Sequence, residues 1–307
     1  AYGKAVAQHY KDKGYELKYF EYWNEPNASS FYPNSLGHKF YSDAAAVAAN
    51  EIKKVLPDAV MINGALAHND VAWMKYMVNT GYYSADAFSY HPYTVHNTYR
   101  RHIDDVDYTS TLKSMNDVQL SYGGWKQNWI TEYGVSTWND ANYGNTEAEQ
   151  ASEAVKEKVI ADSAYTDANV YYCFRNTGNK VSEYEDNFGF VESNGKIKPA
   201  YIAVSAIRQN LSGAVYLGAI DPALLGNSNI KMYVYAKEGK FTAVAWSTNG
   251  TNLSLNGENV AVYDMYNNKI SENVSDVTLA SEPVYVMDLS AKWANIALSA
   301  AITNRIN

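Results

Sequence analysis

The chain has 307 residues, of which 47% are apolar and 19% are charged, a composition typical of a folded globular protein. Its formal net charge of −8 disfavours nucleic acid or an anionic membrane as a partner, and no apolar run approaches the roughly 18 residues of a membrane span. The single cysteine, Cys173, excludes an intramolecular disulfide framework and a cysteine-based metal site.

Helical and strand patterns alternate along the first two hundred residues. Apolar residues at helical spacing alternate with short aromatic or β-branched runs that end at Gly, Pro or Asn. This pattern predicts a parallel α/β sheet or barrel. The predicted helices cover 1–14, 37–56, 71–78, 109–120, 146–164 and 199–211, with Asn145 or Thr146 capping the fifth. The predicted strands cover 19–23, 60–66, 87–93, 128–132 and 168–176.

From about residue 214 the pattern changes to short alternating runs separated by Gly and Asn. Such runs predict a small antiparallel β-sandwich or sheet, with strands near 231–236, 241–246, 259–265 and 284–289. We therefore expect a catalytic α/β domain at 1–212, a β-sandwich domain at 213–292 and a tail at 293–307 whose apolar residues favour a helix.

Two of the predicted strands end on a glutamate. The first runs into Trp-Asn-Glu-Pro-Asn, with the carboxylate at Glu25, and the second into Thr-Glu-Tyr-Gly, with the carboxylate at Glu132. A carboxylate at the end of a buried strand is costly unless it is solvated, paired or used. The two are therefore either a functional pair or unrelated glutamates on a solvated rim.

These two motifs, about a hundred residues apart, resemble the retaining glycosidases of clan A, and most closely glycoside hydrolase family 39, the β-xylosidase type. The resemblance covers about residues 1–211. It implies a TIM barrel in which Glu25 follows barrel strand 4 as the acid/base and Glu132 follows barrel strand 7 as the nucleophile. It also implies hydrolysis of O-glycosidic bonds by double displacement, without a metal or organic cofactor.

The resemblance extends to further site residues. It implies that Asn24 donates a hydrogen bond to the sugar 2-hydroxyl, although a turn-forming Asn fits the same position. His91 and Tyr93 match a His-x-Tyr motif whose aromatic hydroxyl bonds the nucleophile, or they form an ordinary His-Pro-Tyr turn. Trp138 is either an aromatic platform for sugar or a packing residue.

The eighth barrel strand departs from the family pattern because it lacks the usual Trp. Phe174 is the candidate to replace it, and Arg175 would then meet an acidic or sulfated sugar. Glu21, four residues before Glu25, is expected to face the barrel interior, where a carboxylate needs a basic or hydrogen-bonding partner.

Assigning Glu25 to strand 4 leaves no sequence for barrel strands 1–3. We therefore expect a preceding segment, an accompanying polypeptide or a second copy to cover the open edges, because exposed parallel edges are rarely left bare. A sugar-binding or scaffold protein without turnover is the alternative function. A glycan at the sequon Asn27 would block the cleft, so we expect a bacterial protein that is not glycosylated. We also expect it to be secreted or at the cell surface.

Overall fold

The computed structural model describes residues 1–33, 35–81, 84–94, 102–122, 126–140 and 144–306. They fall into two compact units. The first contains the described residues of Ala1–Thr94, Asp107–Tyr133 and Ala164–Tyr171, and the second contains the rest. The domain limits expected at 212 and 292 stay a prediction, because a compact unit need not coincide with a domain of the chain.

The first unit is built on a parallel sheet whose strands follow one another in chain order. The strands are β1 (Tyr19–Tyr22), β2 (Val60–Ala67), β3 (Ala87–His91), β4 (Gln127–Tyr133) and β5 (Ala168–Tyr171), arranged β1-β2-β3-β4-β5. Sequential order without reversal is the winding of a (β/α)8 barrel, so the α/β fold is consistent with part of a TIM barrel.

Helices separate the strands, close to the predicted positions. They are α1 (Tyr2–Asp12), α2 (Gly37–Lys53), α3 (Val71–Gly81) and α4 (Tyr108–Ser121) in the first unit, and α5 (Glu147–Ser163) and α6 (Pro199–Leu211) in the second. Thr146 and Glu149 form a reciprocal capping box before α5, with Thr146 N donating to Glu149 Oε2 at 2.7 Å and Glu149 N to Thr146 Oγ1 at 3.1 Å. Among the described helices, none has the length and apolarity that crossing a membrane requires.

The five-stranded sheet is strongly curled. The rings of Tyr19 on β1 and Trp129 on β4 lie 5.1 Å apart between centroids, although two strands separate them in the sheet. In a flat sheet the same backbones would be about 14 Å apart, three strand spacings. The two rings therefore meet across a concave face, as they would on the inner wall of a barrel.

Two strands are shorter than predicted. β3 ends at His91 rather than residue 93, and β5 ends at Tyr171 rather than residue 176. After β5 the backbone pairs with a later loop: Phe190 N donates to Cys173 O at 3.2 Å, and Val191 N to Phe174 O at 3.0 Å. These backbone groups are therefore not available to continue the parallel ladder.

The second unit contains the antiparallel region expected after residue 213. Its strands are β6 (Val215–Ala219), β7 (Ile230–Lys237), β8 (Lys240–Ser247), β9 (Thr251–Ser254), β10 (Val260–Asp264), β11 (Lys269–Val274), β12 (Asp276–Leu279) and β13 (Val284–Leu289). Six of them form the sheet β11-β10-β13-β8-β7-β6, and β12 pairs with β9.

Residues from both of these sheets share one apolar core, which also includes Trp293 and Ala297 of a last helix, α7 (Ala291–Ile306). At the contact between β6 and α7, Gly218 has φ +154°, and an added Cβ would lie 2.2 Å from Ala297 O. The helical tail predicted from the sequence is therefore part of this core.

Candidate active site

Glu25 lies in a turn with unusual backbone geometry at the end of β1. Trp23 has φ 68° and Glu25 has φ 43°, a left-handed conformation that residues other than glycine seldom adopt. The amide of Glu25 donates to Ala65 O at 2.8 Å. Strained backbone of this kind is found mainly at functional sites, and here it fixes the direction of the Glu25 carboxylate.

The partner of that amide belongs to an irregularity in β2. The β2–β3 register shifts between Asn63 and Leu66, Gly64 has φ +139°, and Ala65 has φ 47°. An added Cβ at Gly64 would lie 2.1 Å from Ser89 O, so only glycine fits there. At this irregularity both backbone groups of Ala65 bond residues other than the partners of a regular ladder. Its oxygen accepts from the Glu25 amide, and its amide donates to Ser89 Oγ at 2.7 Å.

His91, at the end of β3, is completely buried and lies between the two glutamates. Its Nδ1 is 3.0 Å from Glu25 Oε1 and 3.7 Å from Glu132 Oε2. Its Nε2 is 3.2 Å from Thr131 Oγ1. The imidazole therefore connects the ends of three strands.

β4 contributes two adjacent side chains to the same site. In a regular strand Thr131 and Glu132 would face opposite sides, but the β4–β5 register shifts between Ile130 and Tyr133. Both side chains therefore reach the groups at the end of β3: Thr131 reaches His91, and Glu132 Oε2 accepts a hydrogen bond of 2.9 Å from the hydroxyl of Tyr93. Tyr93 is fixed by a tight turn after β3, in which its amide donates to His91 O at 2.9 Å.

The two glutamates form a close pair. One carboxylate oxygen of each and a ring nitrogen of His91 all lie within 4.8 Å of one another. Both carboxylates are partly accessible, with side-chain exposures of 16% for Glu25 and 29% for Glu132. Such a trio could also surround a cation, but oxygens of both carboxylates are already hydrogen bonded to His91 and Tyr93.

Glu21 has the hydrogen-bonding partner expected of it, and this partner belongs to the chain itself. Ser89 Oγ donates to Glu21 Oε1 at 2.6 Å, and the hydroxyl of Thr131 is the second hydroxyl group close to the carboxyl group. More than a third of the residue's surface is accessible, yet protein atoms crowd the carboxyl group itself. This desolvation raises the pKa of Glu21, against the opposing effect of the two hydroxyl groups.

The two asparagines beside Glu25 differ in their contacts. Asn24 is half-buried, and its side chain hydrogen bonds none of the described residues. Both polar atoms of the Asn27 side-chain amide are hydrogen bonded. Its Oδ1 accepts from Ala67 N at 2.8 Å, and its Nδ2 donates to Ala67 O at 3.0 Å and to Asp70 Oδ2 at 3.2 Å. Asn27 therefore fixes the loop after β1 to the loop after β2.

The other three predicted site residues belong to the second unit. The ring of Trp138 packs edge-on against Tyr184 at 5.5 Å, and its buried indole N–H donates to no described group. Phe174 is 67% exposed, and its ring lies 6.3 Å from that of Tyr201. The guanidinium of Arg175 donates to Ser193 O. Their roles toward a sugar stay predictions.

Sequence comparison alone finds no relative: no family model and no curated protein matches the chain. Comparison with solved structures, by contrast, finds chains of similar fold. A family 39 glycoside hydrolase from the gut symbiont Bacteroides cellulosilyticus WH2 matches with a TM-score of 0.75 and 19% identity over 94% of this chain. The fold is that of clan A glycoside hydrolases.

Two further clan A structures match over the same 94% of the chain. A family 30 endoxylanase from Clostridium papyrosolvens C71 has a TM-score of 0.65 and 14% identity, and the chain covers 70% of it. A family 39 β-xylosidase from Caulobacter crescentus has a TM-score of 0.62 and 14% identity, with 71% covered. The chain spans only 61% of the Bacteroides glycoside hydrolase. At these identities the likeness establishes the fold.

Proposed function

We propose that this chain carries the catalytic residues of a retaining β-glycosidase that hydrolyses O-glycosidic bonds in an oligosaccharide or polysaccharide. The observation that carries the proposal is the pair Glu25 and Glu132, at the ends of β1 and β4, with carboxylate oxygens within 4.8 Å of each other. Retaining enzymes hold their carboxyl groups about 5–5.5 Å apart, whereas inverting enzymes need about 6.5–9.5 Å for a water molecule.

Glu132 is the nucleophile in this proposal. Its carboxylate attacks the anomeric carbon while Glu25 gives its proton to the glycosidic oxygen, so that the leaving sugar departs as an alcohol and a glycosyl ester remains on Glu132. Glu25, now ionised, then takes a proton from the water molecule that attacks the same carbon. The ester bond breaks, and both glutamates return to their starting states.

The neighbouring residues suit these roles. The Tyr93 hydroxyl donates to Glu132, which stabilises the ionised form that attacks. The buried His91 contacts Glu25, whose proton must be replaced in each cycle. Asn24, with its free amide beside Glu25, is the proposed donor to the sugar 2-hydroxyl.

We further propose that additional strands complete the curled sheet into a barrel. The outer edges of β1 and β5 pair with no described strand, and Tyr19 and Val170 on these strands are 53% and 48% exposed. Open parallel edges with exposed apolar side chains favour association, so strands from a further segment, an accompanying polypeptide or a second copy would cover them. The antiparallel sheets of the second unit would then correspond to the accessory β-sandwich domain expected from the sequence.

The proposed function is tested with aryl glycosides, beginning with β-xylosides because two of the structural relatives are named for xylan-type substrates. We expect turnover by the wild-type protein, and loss of turnover in Glu132→Gln. A 2-deoxy-2-fluoro β-xyloside should add one sugar to Glu132, detected by mass spectrometry of the digested protein. In Glu25→Ala, added azide should restore turnover of activated substrates. Product of inverted configuration would contradict the retaining mechanism.

A sugar-binding protein without turnover is the second candidate, because the edges of the curled sheet are open and the segment after β5 lacks the Trp that the resemblance implies, with Phe174 as the candidate to replace it. Equal oligosaccharide binding by wild type and Glu25→Gln, with no release of reducing sugar by either, would favour it.

A further inference from the structure

The side chain of Tyr41, on α2, bonds the backbones of two strands beside the candidate active site. Tyr41 is 1% exposed. Its hydroxyl donates to Tyr22 O at 2.8 Å and accepts from Gly64 N at 2.9 Å. These directions are fixed, because a carbonyl oxygen only accepts and an amide only donates. One helix side chain therefore joins the end of β1 to the irregular part of β2, and the proposed hydrolysis assigns it no role.

Both of these backbone groups adjoin segments of unusual conformation. The residue after Tyr22 has φ 68°, and Gly64, with φ +139°, is followed by Ala65, with φ 47°. The two segments meet where Glu25 N donates to Ala65 O at 2.8 Å. Left-handed backbone costs folding free energy and persists only where the surrounding contacts hold it. The Tyr41 hydroxyl bonds each segment at its start, so it is one of the contacts that hold them.

Aromatic packing fixes the position of this hydroxyl. The Tyr41 ring makes edge-to-face contacts with three other rings, at centroid distances of 5.3 to 6.2 Å: Tyr22, Tyr32 and Trp73. Burial also raises the pKa of the hydroxyl, so it keeps its proton and remains a donor to Tyr22 across the neutral range. The hydroxyl is therefore a fixed point from which the backbone of both strands is held.

We propose that Tyr41 is a positioning residue for Glu25. Its two hydrogen bonds hold the end of β1 against the irregular part of β2, and the bond from Glu25 N to Ala65 O then fixes the turn that carries the carboxylate. The inference rests on the proposed function, in which Glu25 is the general acid. Glu132 is bonded from the end of β3, by the hydroxyl of Tyr93, so loss of the Tyr41 hydroxyl should affect the acid and spare the nucleophile.

Tyr41→Phe removes both hydrogen bonds and keeps the ring, and its effect on the turn can be measured without any substrate. We expect the Glu25 amide, whose bond to Ala65 O loses support, to exchange with solvent at least about tenfold faster than in the wild type. The amide of Ile62, in the middle of the β1–β2 pairing, is the internal reference and should stay within about twofold. NMR of nitrogen-15-labelled protein measures both rates. An unchanged rate at Glu25, or an equal increase at both amides, overturns the inference.

Two unnatural side chains of nearly the same size separate the hydrogen bonds from the packing. Tyr41→4-aminophenylalanine keeps a donor and an acceptor, whereas Tyr41→4-fluorophenylalanine fills the same volume without a donor. We expect the amino variant to restore most of the protection of the Glu25 amide, and the fluoro variant to behave as Tyr41→Phe. Equal exchange at Glu25 in these two variants overturns the inference. The same comparison decides the matter if Tyr41→Phe fails to fold.

Kinetics then separate a positioning role from a structural one. Phenyl β-xyloside needs a proton on its leaving group, whereas 2,4-dinitrophenyl β-xyloside does not. We expect Tyr41→Phe to lower kcat/KM by about ten- to a hundredfold for the phenyl substrate, because a small displacement of a reacting group is costly, and to leave the dinitrophenyl substrate within about twofold. A structural role alone would lower both values alike, and that result overturns the positioning role.

Tyr235→Phe is the matched control. Tyr235 is also buried, and its hydroxyl donates to Asp162 Oδ2 at 3.0 Å within the second unit. We expect this variant to leave the exchange rate of the Glu25 amide and both kcat/KM values within about twofold of the wild type. A fall on the phenyl substrate as large as that in Tyr41→Phe overturns the inference. Absence of turnover by the wild type on every glycoside rejects the proposed function, while the exchange rates still test whether Tyr41 holds the turn.

Discussion

At the residue scale, the site depends on hydrogen bonds that hold two like-charged groups close together. Glu25 and Glu132 face each other across His91; the backbone amide of Glu25 bonds Ala65 O, and the Glu132 carboxylate accepts from the hydroxyl of Tyr93.

The hydroxyl of Tyr93 is the contact whose removal tests the proposed role of Glu132. Tyr93→Phe keeps the ring, which lies 6.3 Å from that of Tyr133, but deletes the donor to Glu132. A hydrogen bond to a charged group contributes about 1.5–3 kcal/mol, so we expect kcat to fall by roughly 10–100-fold. Steady-state kinetics check this, with Tyr122→Phe at an exposed position as the control. An unchanged kcat would contradict the role of the hydroxyl.

Glu21 should make stability depend on pH in a defined direction. Burial raises its pKa above the ordinary value of 4.5, so the folded protein holds this proton more tightly than the unfolded chain. Stability therefore falls as the pH rises above 4.5 and the carboxyl ionises. Glu21→Gln removes this cost, so the Tm of the variant minus that of the wild type should increase from about pH 4 to about pH 7. Thermal unfolding measures it, and a difference that decreases with pH would contradict the assignment.

At the element scale, α5 is unusual because charged side chains are buried along it. Lys156 Nζ lies 2.6 Å from Asp104 Oδ2, and Asp104 Oδ1 accepts from Trp246 Nε1 on β8 at 2.9 Å. Glu153 accepts from the amide of Ile103 at 2.8 Å. These contacts connect α5, the turn Ile103–Asp105 and the antiparallel sheet within the second unit.

Breaking this network should cost much more than breaking a surface pair on the same helix. Lys156→Met leaves the Asp104 carboxylate, whose side chain is only 14% exposed, without its cation. We expect a loss of about 3 kcal/mol in the free energy of unfolding, measured with denaturant. Lys158→Met is the matched control: Lys158 pairs with Asp162, its side chain is 36% exposed, and the expected loss is below about 1 kcal/mol. Similar losses for both variants would contradict the argument.

At the scale of the whole molecule, the open edges of the five-stranded sheet are the dominant feature. A curled parallel sheet with exposed Tyr19 and Val170 has the chemistry of a surface that another polypeptide covers. The completed structure would also enclose Glu21, which stands on the concave face.

Association can be tested on the chain by itself. We expect the purified protein to self-associate at micromolar concentration, as measured by light scattering after gel filtration. Val170→Lys places a charge on edge strand β5 and should reduce the associated fraction by several-fold, as charges on natural edge strands do. Val181→Lys, at a position 62% exposed outside any strand, is the control and should behave as the wild type. A stable monomer at all concentrations would contradict the expectation.

Much of this protein could be read from local sequence. The five parallel strands and six helices of the first 211 residues, the antiparallel region after them and the capping box at Thr146 depend on neighbours within a few positions, and sequence patterns report such neighbours. Glu25 and Glu132 could be predicted because each lies near the end of an apolar strand, in a motif that resembles those of clan A glycosidases.

The contacts of the site were decided by tertiary structure. Alternation along a regular strand would place Thr131 and Glu132 on opposite faces, and only the register shift beside β5 brings both toward His91. Likewise, nothing near Gly64 or Ser89 in the sequence indicates that they adjoin the turn of Glu25. Such contacts join residues 24 to 68 positions apart, and the pairing of whole strands sets them. Side-chain type and local spacing therefore predicted which groups form the candidate site, whereas the curled sheet decided which of them meet.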